Sequence, residues 1–344
     1  MNDIKMTVDF RSDTVTKPTP GMLDAMFSAK VGDDVFGEDP NVNELQEKTA
    51  ALFGMEDALF CPSGTMTNQI AIKCFTNPMD EVICDETAHV YRYEGGGIAY
   101  NSMASVRLLY GDRGRLNADM IEGHINPDDV HCPKTSLVVL ENTVNRGGGS
   151  YYTLDQIEPI YHLCRLKNVH LHLDGARIFN ALCESGDDPE DYGRLFDGIS
   201  VCLSKGLGAP IGSVLLGNKK TIDKARRIRK VLGGGWRQAG YLAAAGIYAL
   251  DHHIERLQED HKNAKILAET LRSLPFVTSL MPVETNIIIF ELDKKHKPDE
   301  FVDKLGHYGI KCNTFGSQMI RFVTHLDIND SMINYTLEVL RKLY

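Results

Sequence analysis

The chain has 344 residues, 43% hydrophobic and 24% charged, an ordinary globular composition with enough length for two cored domains. Its 37 basic and 47 acidic residues give a net charge of −10, which argues against nucleic acid or an anionic membrane as the main partner. The stretch 1–10 has no basic segment leading into an apolar one, and the longest small, apolar run, 240–250, is too short to cross a bilayer, so a cytoplasmic location is expected.

In chain order, the polar stretch from Asp9 to Pro18 reads as an arm rather than a core element. An amphipathic patch follows over 20–29, then an acidic, glycine-containing loop over 31–40 ahead of a helix starting near Asn41. From there short apolar runs recur at 58–61, 81–84, 106–110, 136–141, 169–174, 199–204 and 213–217, separated by helix-length segments. That alternation predicts an α/β fold, a largely parallel sheet with helices on both faces, whose ligands sit at the carboxyl ends of the strands. After a helical run over 241–274, strands at 285–292 and 319–324 with helices near 299–308 and 329–343 describe a small C-terminal α+β domain. The expected division is 1–255 and 256–344. Eight cysteines without Cys-x-x-Cys spacing read as buried free thiols, and no metal site is expected.

Chemically useful residues fall at the predicted strand ends. Ser63-Gly64-Thr65 enters a helix, where free N–H groups and the positive end of the dipole suit a phosphate, though an ordinary helix cap reads the same way. Asp174 ends a buried strand and needs a cationic partner to stay ionised. Lys205 follows the strand at 199–204 and precedes a Gly/Pro turn, a position that puts its amine in a cleft, where a desolvated lysine can form a Schiff base.

Seven segments then occur in an order and spacing that resemble the fold-type I pyridoxal-phosphate enzymes, and within them the L-threonine aldolases of low or allo specificity. They are Asp9-Phe10-Arg11-Ser12-Asp13-Thr14-Val15-Thr16, Val31-Gly32-Asp33-Asp34-Val35-Phe36-Gly37-Glu38-Asp39-Pro40, Pro62-Ser63-Gly64-Thr65, Leu173-Asp174-Gly175-Ala176-Arg177, Ser204-Lys205-Gly206-Leu207-Gly208, Gly233-Gly234-Gly235-Trp236-Arg237-Gln238-Ala239-Gly240 and Ile320-Arg321-Phe322-Val323-Thr324-His325. The resemblance implies that Lys205 carries pyridoxal 5'-phosphate, that Asp174 pairs with the ring nitrogen, and that Ser63, Gly64 and Thr65 hold the phosphate. It also implies that His89 stacks on the ring and serves as the base, and that Arg177 lies near the phenolic oxygen and the substrate carboxylate. Arg321 and Ser12 would bind that carboxylate, a task for which guanidinium geometry is suited. Lys230 and Arg237 would reach the phosphate of a neighbouring subunit, making a homodimer or homotetramer the active unit.

The implied reaction is retro-aldol cleavage of threonine, allo-threonine or a related β-hydroxy-α-amino acid to glycine and an aldehyde. β-Elimination, transamination, or cofactor binding without turnover are the alternatives. Two positions depart from the family pattern: Val144 stands where a histidine is common, and Phe36 where a tyrosine is common.

Overall fold

The computed structural model describes residues 6–343, so half of the stretch 1–10 lies outside the described residues. Its strands are β1 (Val8–Asp9), β2 (Asp57–Cys61), β3 (Glu81–Asp85), β4 (Ser105–Leu109), β5 (Thr135–Glu141), β6 (His170–Gly175), β7 (Gly198–Cys202), β8 (Ser213–Gly217), β9 (Val277–Leu280), β10 (Ile287–Leu292), β11 (Ile310–Lys311), β12 (Asn313–Thr314) and β13 (Met319–Val323). Helices α1 (Pro20–Phe27) and α2 (Pro40–Leu52) precede the main sheet; α3 (Gly64–Phe75), α4 (His89–Arg92), α5 (Ala118–Glu122), α6 (Leu154–Lys167), α7 (Ile178–Ser185) and α8 (Pro189–Leu195) lie between its strands. Then come α9 (Lys219–Val231), α10 (Gly240–His252), α11 (Leu257–Ser273), α12 (Pro298–His307) and α13 (Asp330–Lys342).

The seven-stranded sheet has the order β2-β8-β7-β6-β5-β3-β4. Only β8 runs against its neighbours, so β2 points the same way as the parallel strands and all their carboxyl ends share one edge. Alternate residues build two cores, as a sheet covered on both faces requires. Phe60, Val138, Leu140, Leu171 and Leu173 enter one cluster, while Leu59, Cys84, Leu137, Val139 and Leu215 enter the other. Capping residues followed by proline start α1 and α2, with Thr19 accepting from Met22 N–H and Asp39 from Asn41 and Val42 N–H.

Three expectations need correction. The strand leading to Lys205 ends at Cys202, and Ser204 and Lys205 belong to a loop closed by Ala209 N–H to Leu203 carbonyl (3.1 Å) and Gly208 N–H to Lys205 carbonyl (2.8 Å). The helical run over 241–274 breaks into α10 and α11, where His253 caps the first helix and its Nδ1 lies 2.7 Å from the Leu207 carbonyl.

The N-terminal arm is a core element after all. Val8 and Asp9 pair in parallel with Ile310 and Lys311, and Phe10 is fully buried with its ring stacked 5.1 Å from that of Phe322. A polar composition hid this, because within Asp9 to Pro18 the apolar contact with the C-terminal core comes from Phe10, with Val8 and Met6 just before it. They join a cluster formed by α11, α12, α13 and the four-stranded sheet β12-β13-β10-β9, including Leu267, Phe290, Phe301 and Leu337. Replacing Phe10 by alanine should destabilise the protein by about 3–5 kcal/mol. Denaturant unfolding measures it, and no change in the midpoint would show that the arm is not part of the core.

Candidate active site

Five loops meet at the carboxyl edge of the main sheet. They carry Ser63–Thr65 after β2, His89 after β3, Asn145 after β5, Arg177 after β6 and Lys205 after β7. The register places Glu141 directly beside Asp174, so two buried carboxylates form the floor.

Asp174 spends Oδ1 on the Ala176 N–H (3.2 Å), whereas Oδ2 is buried without a partner among the described residues. A buried carboxylate oxygen left this way carries a large desolvation cost unless a cation meets it. Glu141 uses both oxygens, accepting from His89 N–H (2.9 Å) and Asn145 N–H (2.9 Å), and thereby ties two site loops to the sheet. Burial, and next the Asp174 charge, push its carboxyl up to about 7.

His89 begins the short helix α4 and is half-buried, its Nδ1 3.0 Å from Glu94 Oε1. Burial alone would lower its pKa, but the Glu94 hydrogen bond and the charges of Asp174, Glu94 and Glu141 carry it above the ordinary histidine value. Glu94 also accepts from Asn68 (3.0 Å) and Gln69 (2.6 Å), so helix α3 fixes the acid that fixes the histidine. Donor atoms of His89, Glu94 and Asp174 lie within 4.8 Å of one another, close enough to hold a metal ion. Both Glu94 oxygens are already engaged, however, and a metal would have to break those bonds.

Arg177 is buried and gives Nε to Asp13 Oδ2 (2.6 Å) and Nη2 to Asp13 Oδ1 (2.7 Å). Asp13 is fully buried; burial alone would raise its pKa, but Arg177, and further Lys205 and Asn286, hold it well below the usual carboxylate range. Lys205 is half-buried, anchored through its carbonyl to Thr16 Oγ1 (3.0 Å), and its ammonium makes no ion pair among the described residues.

Arg321 comes from β13 and reaches the edge from the other sheet. Its Nη1 donates to Asn145 Oδ1 (2.8 Å) and its Nη2 to the Arg11 carbonyl (2.9 Å), while Nε is buried without a partner among the described residues. Burial, and next the Arg177 charge, bring its pKa down to about 10. Ser12, adjacent to Arg11, accepts from Thr14 N–H (3.2 Å) and caps the turn that presents Asp13.

Ser63 caps α3 by accepting from Met66 N–H (3.2 Å), and the Gly64 and Thr65 N–H groups sit in the first turn, where no intrahelical acceptor exists. Beside them lies the buried hydroxyl of Ser213, without a partner among the described residues and 3.5 Å from where a Cβ on Gly64 would stand. Gly64 thus leaves room for a group against the helix end.

The structure therefore gathers Lys205, Asp174, His89, Arg177, Arg321, Ser12 and Ser63–Thr65 at one edge. Lys230 and Arg237 make their contacts elsewhere: Arg237 is exposed and pairs with Asp33 (3.0 Å), and exposed Lys230 lines a surface cavity of about 410 Å³ with Asp34, Phe36 and Arg229. Sequence reading did not single out Asp13, Glu94, Glu141 or Ser213. Asp13 and Glu94 stand among polar neighbours, where nothing separates a buried carboxylate from a solvated one, and Glu141 ends an apolar strand, where a solvated strand end reads the same way. Val144 is buried and packs its Cγ1 onto Gly114, whose φ of +82° and lack of a Cβ make the space; it offers no group that exchanges a proton.

One unpartnered oxygen on Asp174, one free helix end and one unpaired lysine are the three fixtures that pyridoxal phosphate needs for its ring nitrogen, phosphate and aldehyde, and the residues fit it. With the strand order, they define the class: a pyridoxal-phosphate enzyme of fold type I.

The beta-eliminating lyase family matches residues 9–295. The chain is 42% identical to the low specificity L-threonine aldolase of Escherichia coli strain K12, covering 94% of this chain and 95% of that one. It is 38% identical to low-specificity L-threonine aldolase 1 of Arabidopsis thaliana, covering 97% and 95% respectively. In structure it is similar to the Leishmania major threonine aldolase, with a TM-score of 0.86 at 23% identity over 98% of this chain and 99% of that one. The Sphingomonas wittichii serine palmitoyltransferase shares the fold with a TM-score of 0.77 at 16% identity, over 98% and 86% of the two chains. The chain belongs to the beta-eliminating lyase family, within its low-specificity L-threonine aldolase branch.

Replacing Asp13 by asparagine leaves the Arg177 charge buried and unpaired, with an expected loss of about 3–5 kcal/mol. The native pair contributes fully above the unfolded value of 3.8 and is lost as pH falls through the depressed folded value. Stability measured against pH should therefore fall more steeply below pH 4 in the native protein than in the variant.

Proposed function

We propose that the site assembled around Lys205 performs retro-aldol cleavage of L-threonine, L-allo-threonine and related β-hydroxy-α-amino acids to glycine and an aldehyde. The unpartnered Asp174 oxygen carries the reading, because it demands a cationic ring beside a lysine amine. Pyridoxal phosphate supplies an electron sink for the bond broken at Cα, held by Lys205, Asp174, and the Ser63-Gly64-Thr65 turn, with Ser213 alongside.

Arg321 binds the substrate carboxylate, with Ser12 beside it. Asn145 and the Arg11 carbonyl grip two of its nitrogens, so the clamp is oriented before substrate arrives. Arg177, fixed by Asp13, lends a second positive charge to the same region. His89 in its neutral form takes the β-hydroxyl proton, directly or through a water; Glu94 and Glu141 hold the ring and its backbone in place. The Cα–Cβ bond breaks, the hydroxyl oxygen becomes the aldehyde oxygen, and Cα gains a proton.

The same reading extends to assembly. Lys230 and Arg237 serve a neighbouring subunit's phosphate in a homodimer or homotetramer, supported by the exposed apolar side chains Val35, Phe36 and Val231 near Lys230. It divides the chain into lobes near residue 255 and places it in the cytoplasm. In support, the eight cysteines are free, burial pushing the Cys61 and Cys312 thiols up to about 12, and no helix among the described residues is long and apolar enough to cross a membrane.

With pyridoxal phosphate and threonine, the purified protein should release glycine and acetaldehyde in equal amounts; pyruvate and ammonia instead would overturn the reading. Lys205→Ala should abolish both turnover and the borohydride-stable cofactor adduct. Because His89 must be neutral to accept the proton, kcat should rise with pH through a value above 6.5, and His89→Asn should lose that limb.

A further inference from the structure

Arg146 lies in the loop after β5, and the reaction above does not use its guanidinium. Its guanidinium carbon lies 4.2 Å from the centre of the Phe315 ring, and Nη1 donates to the Phe315 carbonyl (3.3 Å). The Arg321 guanidinium carbon lies 4.8 Å from the same ring centre. The two cations are therefore no more than 9.0 Å apart. Neither has a carboxylate within ion-pair distance among the described residues, although Arg113 nearby is tied to Glu284. The Arg146 charge is one of those that depress the Arg321 pKa, so the two repel.

Arg146 also lines a small cleft of about 160 Å³ with Asp85, Glu86, Thr87, Tyr110 and Gly114. The acids there are already engaged: Asp85 accepts from Thr87 and from Gly111 N–H (2.8 Å), and Glu86 faces Arg92 at 3.7 Å. Val144, two residues before Arg146, packs against Gly114 of this cleft and brings no charge to it. Two half-buried guanidinium groups on one ring, both without anions, are costly unless the ligand brings two carboxylates. Arg321 takes the carboxylate on Cα. The second then belongs to the part of the substrate that is joined through the other carbon of the reacting pair.

On the retro-aldol reading of the site, we infer that Arg146 recognises a carboxylate on the substrate's Cβ, so that the preferred substrate class is β-hydroxy-α-amino dicarboxylic acids, 3-hydroxyaspartate being the smallest. The bond order balances without a co-reactant. The Cα–Cβ bond breaks, the β-hydroxyl hydrogen leaves as a proton, Cα takes up a proton, and the products are glycine and glyoxylate.

The test compares kcat/KM for 3-hydroxyaspartate and threonine in the holoenzyme and in Arg146→Met, which keeps the apolar stem over Phe315. The native enzyme should favour 3-hydroxyaspartate, and the ratio of the two kcat/KM values should fall about tenfold or more in the variant. An equal loss on both substrates would mark Arg146 as a structural bridge to Phe315 and overturn the inference. Cleavage of threonine without 3-hydroxyaspartate overturns it and leaves the aldol reading intact; cleavage of neither overturns both. If the variant does not fold, inhibition of threonine cleavage in the native enzyme decides. Aspartate should inhibit about tenfold more tightly than asparagine, and equal inhibition overturns the inference.

Discussion

The bidentate pair between Asp13 and Arg177 is the interaction on which the rest of the site depends. Arg177 leaves the main sheet at the end of β6, its N–H bound to the Asn142 carbonyl at 3.2 Å, and Asp13 comes from the arm seated on the other sheet. Asn286 completes the junction by donating to Asp13 (3.3 Å) and to the Thr324 carbonyl (3.0 Å). Both charges are buried, so either one alone is heavily penalised, and the pair is stable only when the two sheets hold their mutual position. The same junction delivers Arg321 from β13 to the edge where Lys205 and Asp174 lie.

Charge of both signs collects at this edge. Glu141 and Asp174 supply buried carboxylates at the strand ends, and Arg177, Arg321 and Arg146 supply guanidinium groups. Carboxylates suit a cationic ring, and guanidinium groups suit anionic substrate groups. Glu141 links these parts through hydrogen bonds as well as charge. One of its oxygens positions His89, and the other positions Asn145, which holds Arg321. The proposed proton acceptor and the proposed carboxylate clamp are thus referenced to a single side chain. A common reference keeps their separation constant, which is what catalysis by orientation requires.

Legibility in the sequence followed burial pattern. The main strands were readable because each carries a short apolar stretch, as a sheet covered on both sides favours, and their bounds differ from the apolar runs by a residue or two. Lys205, Asp174 and Ser63 were singled out because each lies at or just past a strand end followed by glycine or proline, whereas Arg321, in the middle of β13, was singled out only through the resemblance of its segment to the family. Asp13 was not, since a buried aspartate in Arg11-Ser12-Asp13-Thr14 looks like any solvated one until Arg177 is placed against it. Phe10 was missed for the converse reason, a lone aromatic in a polar arm whose partner Phe322 lies 312 residues later. Long-range pairing of this kind leaves no local periodicity to read.

The seating of that arm has a consequence for how the protein is made. The main sheet, its helices and the residues of its strand-end loops have all left the ribosome long before Ile310 and Phe322, the partners of Val8 and Phe10, are synthesised. Domains fold as units while the chain emerges, and contacts of very large sequence separation close last. The growing chain therefore lacks Arg321 and the contacts that seat its arm for most of its synthesis, and the edge is complete only when β11 pairs with β1 and β13 packs Phe322 against Phe10.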